Sequence, residues 1–154
     1  ELAVNTAIGS VMKNIVVENE KTIKEAISFL KEHKYGTATF MPVVESQAKD
    51  LSNEVNEALF RIDGYLGTVA ANIKAKKEFK NLVSSMAGRI LMFDTIENGL
   101  VAAKHLNHKF KIVSLDGDVI FPGFVVRGLW TISLDRLGSG RHLSEESQGP
   151  GSLY

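Results

Sequence analysis

Two acidic residues on either side of a glycine form the first candidate for chemistry. Asp116 and Asp118 flank Gly117 between two apolar runs. Paired carboxylates could bind a divalent cation through their oxygens. The same order is typical of a hairpin-like turn, because Asp and Gly supply the backbone geometry that such turns need. No further acids lie beside the pair, so we favour the turn and predict no metal site.

Histidine and cysteine offer little for catalysis. His105 and His108 are three residues apart and could face one metal, but no third ligand is evident in the sequence. The chain has no cysteine, which excludes disulfides, thiolate nucleophiles and cysteine metal sites. No Ser-His-Asp arrangement, P-loop or GxGxxG motif is present. We therefore predict neither a catalytic constellation nor a cofactor.

Clustered lysines are candidates for phosphate contact, which would be independent of sequence and sensitive to salt. The alternative is a solvated face, and lysines near a helix C-terminus also suit its dipole. The net charge is zero, with 18 basic and 18 acidic residues, so any nucleic-acid binding must come from a local patch. The candidate DNA-binding residues are Lys74, Lys76, Lys77, Lys80, Lys109 and Lys111.

Four glycines at predicted strand ends are candidates for close approach of backbones, either within one chain or between two chains. Taken from the residues alone, turns within one chain are favoured. They are Gly64, Gly67, Gly117 and Gly123.

Hydrophobic periodicity supplies the elements that would position these residues. Helical spacing is found over 2–12, with Gly9 as the predicted stop, and helices are predicted over 18–35, 74–86 and 94–106. Strands are predicted over 15–17, 37–41, 89–93, 110–115 and 125–134. The connector 44–63 is predicted to carry a helical turn. Strand–helix–strand order recurs, which predicts two related lobes.

The sequence also predicts three details of these helices. Gly36 is predicted to end the second helix as a left-handed cap. That helix is expected to carry an apolar face that includes Ile27. Leu100 is expected on the buried side of the helix that starts at Asp94.

Length and composition fit one domain: 154 residues, 44% hydrophobic and 23% charged. No apolar run approaches the ~20 residues of a membrane span. The start at Glu1 lacks the basic residues of a signal peptide, and we expect it to be a trimmed end. The glycine-rich, polar segment 138–154 is expected to be a flexible or vector-derived tail.

An ordered set of short segments resembles the hinge domain of SMC proteins, the chromosome-organising ATPases. The set covers roughly residues 3–123. It comprises Ala7-Ile8-Gly9, Asn14-Ile15-Val16-Val17-Glu18, Ala26-Ile27-Ser28-Phe29-Leu30-Lys31, Gly36-Thr37-Ala38-Thr39-Phe40-Met41-Pro42, Gly64-Tyr65-Leu66-Gly67, Phe93-Asp94-Thr95 and Val113-Ser114-Leu115-Asp116-Gly117-Asp118-Val119. After this stretch the chain departs from the family, with Phe124, Arg127 and Leu129 where the family has small residues.

The resemblance implies an α+β fold of two small subdomains, each a mixed β-sheet with packed helices. On that basis residues 1–137 form the hinge-like domain, with subdomains at about 1–62 and 63–137. It also implies dimerisation with a second SMC hinge, identical or related, near the four glycines, and weak, non-specific DNA contact through basic residues. ATP binding would lie in distant head domains.

The resemblance further implies a chromosome- or nucleoid-associated protein in the cytoplasm, or in the nucleus of a eukaryote, with no membrane contact. The alternative hypothesis is a small α/β ligand-binding domain or enzyme whose site lies at strand ends near Asp94 and Asp116. The polar residues do not converge on a nucleophile or an acid–base pair, so the interaction module is favoured.

Overall fold

The computed structural model describes residues 1–123 and 125–128. Over these ranges the chain forms five α-helices, seven strands and two short 3-10 turns. The helices are α1 (Leu2–Ile8), α2 (Glu20–His33), α3 (Asn53–Phe60), α4 (Lys80–Ala87) and α5 (Ile96–His105). The strands are β1 (Ile15–Val17), β2 (Phe40–Pro42), β3 (Tyr65–Thr68), β4 (Leu91–Phe93), β5 (Ile112–Ser114), β6 (Val119–Phe121) and β7 (Val125–Arg127).

The strands form two separate sheets. β1 and β2 pair in parallel as a two-stranded sheet. The other five form a mixed sheet in the order β3-β4-β5-β6-β7, in which only β4 and β5 are parallel. Helices α2 and α5 connect the two parallel pairs, so the predicted recurrence of strand–helix–strand units is confirmed. The fold is α+β, as predicted.

The buried core lies on both faces of the five-stranded sheet, because successive side chains of a strand point to opposite faces. Phe93 and Ile112 pack towards α3 and α5, where Leu59 is fully buried. Met92 and Val113 pack on the opposite face, against apolar residues of α1 and α4. The large sheet is therefore covered by helices on both sides.

We call β1, α2 and β2, residues 15–42, the small lobe. No residue between 9 and 58 is buried. The predicted apolar face of α2 is only half covered, and Ile27 is 39% exposed. The sequence predicts which face of α2 is apolar, and the described part of the chain covers that face only in part.

Two predicted details of helix position are wrong, for identifiable reasons. The left-handed residue that ends α2 is Lys34 (φ 54°), whose N–H bonds to the carbonyls of Leu30 and Lys31, while Gly36 lies two residues further on. Leu100 is 45% exposed, because α5 approaches the sheet through its small residues. Those buried small residues are Gly99, Ala102 and Ala103.

The helix predicted from Lys74 begins only at Lys80. The residues before it form two 3-10 turns and an extended linker. Positive charges oppose the dipole at a helix N-terminus. The apolar stripe that packs on the sheet also starts only at Leu82, which is buried.

The division of the domain at about residue 62 stays a prediction. Both α1 and α3, which that division assigns to the first subdomain, pack on the five-stranded sheet. The continuation of the last predicted strand to residue 134 and the tail 138–154 lie outside the described residues.

Candidate interaction surfaces

The acidic turn is a hairpin turn between β5 and β6. Gly117 has φ 88° and its N–H donates to the carbonyl of Ser114 (3.1 Å). The N–H of Asp118 donates to Ser114 Oγ (3.1 Å). Gly117 itself is buried within the chain. Among the described residues, no three His, Asp or Glu side chains are grouped so that they could hold a metal ion.

Gly64 is required by packing inside the chain. Its φ is 82°, and a Cβ at this position would overlap the Asp94 carboxylate and lie 2.5 Å from Asn98 Nδ2. Its carbonyl accepts from the N–H of Asp94 (3.0 Å). The conformation of Gly64 is thus accounted for by contacts within the chain.

Asp94 is central to the alternative hypothesis of a ligand site. In the structure its carboxylate is engaged in hydrogen bonds within the chain at the start of α5. Its carboxylate accepts from Asn98 Nδ2 (2.9 Å) and from the N–H of Thr95 (2.6 Å). These hydrogen bonds, led by that from Asn98, lower the pKa of Asp94 below its usual value. Thr95 Oγ1 accepts from the N–H of Asn98 (3.2 Å) and caps the helix. These polar groups stabilise a helix start.

Gly67 and Gly123 have open space beside them. Both have a left-handed backbone, with φ 94° and 85°. A Cβ at Gly67 would come no closer than 3.6 Å to a described atom outside its immediate neighbours, and a Cβ at Gly123 would meet none within 4 Å. Gly67 lies on β3, an outer strand of the sheet, next to Leu66, which is 42% exposed. Of the four candidate glycines, these two leave room for a second chain.

The predicted DNA-binding lysines fall into two separate groups. Lys74, Lys76 and Lys77 are exposed on the linker before α4, and Lys80 is exposed in its first turn. Lys109 is exposed on the approach to β5. The structure does not bring the two groups into one cavity.

Lys111 is the least available of these cations. Its ammonium donates to the carbonyl of Ala7 (2.7 Å) and lies 5.6 Å from the centre of the Phe121 ring. Burial, and secondly the charge of Arg127, lowers the pKa of Lys111. The side chain ties α1 to the sheet, so its contribution to a ligand would be secondary.

A basic cleft gathers cations from three parts of the chain. It encloses about 580 Å³. Its basic residues are Lys49, Arg89, Lys109 and Lys111, and we call it the basic cleft. Phe110 forms part of the lining, and the Arg89 guanidinium lies 5.5 Å from the centre of that ring. None of these cations pairs with a carboxylate among the described residues.

Sequence reasoning missed Lys49 and Arg89 because they are distant along the chain from Lys109. One signal was available. Arg89 lies just before β4 and Lys109 just before β5, and these two strands are parallel neighbours. The start of each strand therefore lies at the same edge of the sheet. Lys49 has no such signal, since its place depends on a hydrogen bond from its N–H to Ser84 Oγ (3.0 Å).

The described residues thus form two parallel strand–helix–strand units and leave open space beside two glycines. Comparison with known proteins identifies the class. The profile of the SMC proteins flexible hinge domain matches residues 1–103. The chain belongs to this hinge family.

Curated relatives agree with this assignment. The chain is 33% identical over 128 residues to the chromosome partition protein Smc of Halothermothrix orenii, and 27% identical over 128 residues to that of Bacillus subtilis. These alignments cover 83% of the chain but 11% of each relative. The chain thus spans about a ninth of the length of these proteins.

Solved structures show the same fold. The hinge domain of Geobacillus stearothermophilus SMC, solved as an asymmetric dimer, matches with a TM-score of 0.79 and 29% identity, over 90% of this chain and 57% of that chain. The Pyrococcus furiosus SMC hinge domain matches with a TM-score of 0.62 and 24% identity, over 86% of this chain and 69% of that chain. None of the described helices combines the length and the apolar content that a membrane crossing requires.

Proposed function

We propose that this domain is the dimerisation hinge of an SMC chromosome-partition protein, where it pairs with a second copy and so joins two coiled-coil arms. The observation that carries the proposal is the hinge match over residues 1–103, together with the similarity to a hinge that was solved as a dimer. A hinge works by binding, so the domain needs no catalytic group and no cofactor. Chromosome association in the cytoplasm follows from the same proposal.

The edge strand β3 is the part of the large sheet that best fits a partner. An outer strand presents unpaired N–H and C=O groups that a second strand can satisfy. Gly67 leaves space for a close backbone, and Leu66 adds exposed apolar surface. Gly123 lies in the turn between β6 and β7, on the opposite side of the sheet, and we propose it as a second, separate contact. We assign Gly64 and Gly117 to support of the fold. Two subdomains, divided at about residue 62, remain part of the proposal.

Co-purification of two differently tagged copies tests the proposal. We expect the copy with the second tag to be retained when the first tag is captured. Leu66→Lys should reduce this retention, because it places a charge at the contact edge. Leu100→Lys is the matched control, since Leu100 has similar exposure (45% against 42%) but lies on α5. Equal retention of the two variants would contradict the assignment of the β3 edge.

Weak DNA contact is a second proposed role, and the basic cleft is its strongest support. None of its four cations forms a salt bridge with a described carboxylate, so Lys49, Arg89 and Lys109 in particular could contact a phosphate backbone. Lys109, predicted from the sequence, lies in this cleft. Lys74, Lys76, Lys77 and Lys80 form a separate exposed group that could add contacts.

Anisotropy titration with a labelled DNA duplex at several salt concentrations tests this role. Arg89→Glu should weaken binding about equally for different sequences and reduce the salt slope by about 1. Lys24→Glu is the control, because Lys24 is an exposed cation on α2 that already pairs with Glu20 (3.6 Å). If Arg89→Glu and Lys24→Glu weaken DNA binding equally, the basic cleft is excluded as the DNA contact. If DNA binding is weakened only by Lys76→Glu, the contact lies on the linker before α4 instead.

A further inference from the structure

The chain contains the same order of elements twice. α1, β1, α2 and β2 are repeated as α4, β4, α5 and β5, and in each set the two strands are parallel. The two sets share their order of elements and their parallel pairing, so their surroundings can be compared inside one molecule.

In the second set, neighbouring strands and helices cover both strands. β3 flanks β4, β6 flanks β5, and helices cover both faces of the sheet. All six residues of β4 and β5 are buried. This agrees with the general rule that parallel strands are covered on both faces.

The first set lacks this cover among the described residues. No strand within residues 1–123 and 125–128 pairs with the outer side of β1 or β2, and Ile15 and Val16 are 47% and 49% exposed. A two-stranded sheet is marginally stable in water, and stable sheets usually have three or more strands or a packed helix. Here α2 packs on the pair, but it contributes no buried residue.

Large apolar side chains are concentrated on this part of the surface. An exposed aromatic group lies near the end of α2, where the ring centres of Phe29 and His33 are 4.2 Å apart and those of His33 and Tyr35 are 5.3 Å apart. Contiguous exposed apolar surface marks interaction sites. The large exposed apolar residues between 12 and 44 are Met12, Ile15, Val16, Ile27, Phe29, Tyr35 and Val44.

We propose that the small lobe is only weakly ordered in a single chain and becomes stably ordered when a second copy of the chain covers it. The second copy is the occupant because a hinge of the same fold, 29% identical, was solved as a dimer. The inference rests on the proposed hinge function. It adds that pairing also completes the folding of residues 15–42, so partner binding and local order are coupled.

Hydrogen exchange of the intact chain, read by mass spectrometry, tests this coupling. Samples are compared at concentrations where sedimentation shows monomer and where it shows dimer. In the monomer, amides of α2 should exchange at least about 100-fold faster than those of β4 and β5. In the dimer, exchange in the small lobe should slow in proportion to the dimer fraction, while β4 and β5 should change little.

A pair of variants identifies the surface. Phe29→Ser should weaken self-association at least about 10-fold, because aromatic side chains often dominate interface energetics. Leu100→Ser should leave it within about 2-fold, since it removes a comparably exposed side chain from α5 (45% against 53%). Exchange in β4 and β5 serves as the check that both variants remain folded.

The outcomes separate the inference from the function on which it rests. If dimers form but exchange in the small lobe does not change, or if the small lobe is already as protected as β4 in the monomer, the inference is wrong and the hinge function stands. If the chain stays monomeric at every concentration, pairing with a second copy is itself excluded and both fail.

Discussion

Replacing Gly64 by Ala distinguishes a glycine that the fold requires from one that a partner requires. The Cβ would enter the space of the Asp94 carboxylate, and the residue would have to keep a φ of 82°. Gly67→Ala is the matched control, since Gly67 lies on β3, which begins one residue after Gly64. Its φ is 94°, but the nearest described atoms lie at ordinary contact distance, 3.6 Å and beyond.

The expected magnitudes follow from these two environments. A left-handed backbone costs a non-glycine residue about 1–2 kcal/mol, and this applies to both variants. Crowding at a filled position adds about 1–3 kcal/mol, and this applies only to Gly64→Ala. We therefore expect Gly64→Ala to lower the free energy of unfolding by about 2–5 kcal/mol and Gly67→Ala by about 1–2 kcal/mol.

Urea denaturation followed by far-UV circular dichroism at low protein concentration measures the difference. With a slope of about 1–3 kcal/mol per molar urea, Gly64→Ala should have the clearly lower midpoint. For self-association we expect the opposite order. Gly67→Ala should weaken the affinity between two copies more than Gly64→Ala does, and by more than its loss of folding stability explains. Equal loss of stability in the two variants would refute the assignment of Gly64 to the fold and of Gly67 to the contact edge.

Three further predictions concern the fold that supports these surfaces. Ser52→Ala should cost about 1 kcal/mol in urea denaturation, because Ser52 Oγ accepts from the N–H of Val55 (3.3 Å) at the start of α3; an unchanged midpoint would exclude this cap. Leu59→Ala should cost about 2–5 kcal/mol, because Leu59 is 0% exposed; a loss below 1 kcal/mol, as at a surface site, would contradict the packing of α3 on the large sheet. The folded-state pKa of Asp94 is lowered, so its contribution is present above the unfolded pKa of about 4 and is lost as the pH falls through the folded pKa. The free energy of unfolding should therefore fall less steeply below pH 4 in Asp94→Asn than in the unaltered chain. Identical curves for the two would exclude a role for this carboxylate.

The sequence predicted the parts of the fold that depend on local pattern. The strand at residues 15–17, the helix after it and the parallel return at Phe40–Pro42 follow from periodicity and spacing. The hairpin at Gly117 follows from turn chemistry. The order of the five-stranded sheet was not predicted, since β3 joins β4 antiparallel through long-range contacts that no local pattern specifies.

The features that the sequence did not predict correctly all depend on tertiary packing. Leu100 fits a helical stripe, but the close approach of α5 to the sheet turns Gly99 inward in its place. Lys49 and Arg89 meet in the basic cleft only after the chain has folded. The exposed state of Ile27 could not be read from its pattern, because periodicity shows which face of a helix is apolar but not what covers that face.

Sedimentation equilibrium of the unaltered chain over a range of about 1–100 µM tests the central claim most directly, because it reports mass without a label or a tag. If two copies pair, the mass should shift reversibly from that of one chain, 16.9 kDa, towards twice that value as concentration rises. A single species of one-chain mass across the whole range would contradict it.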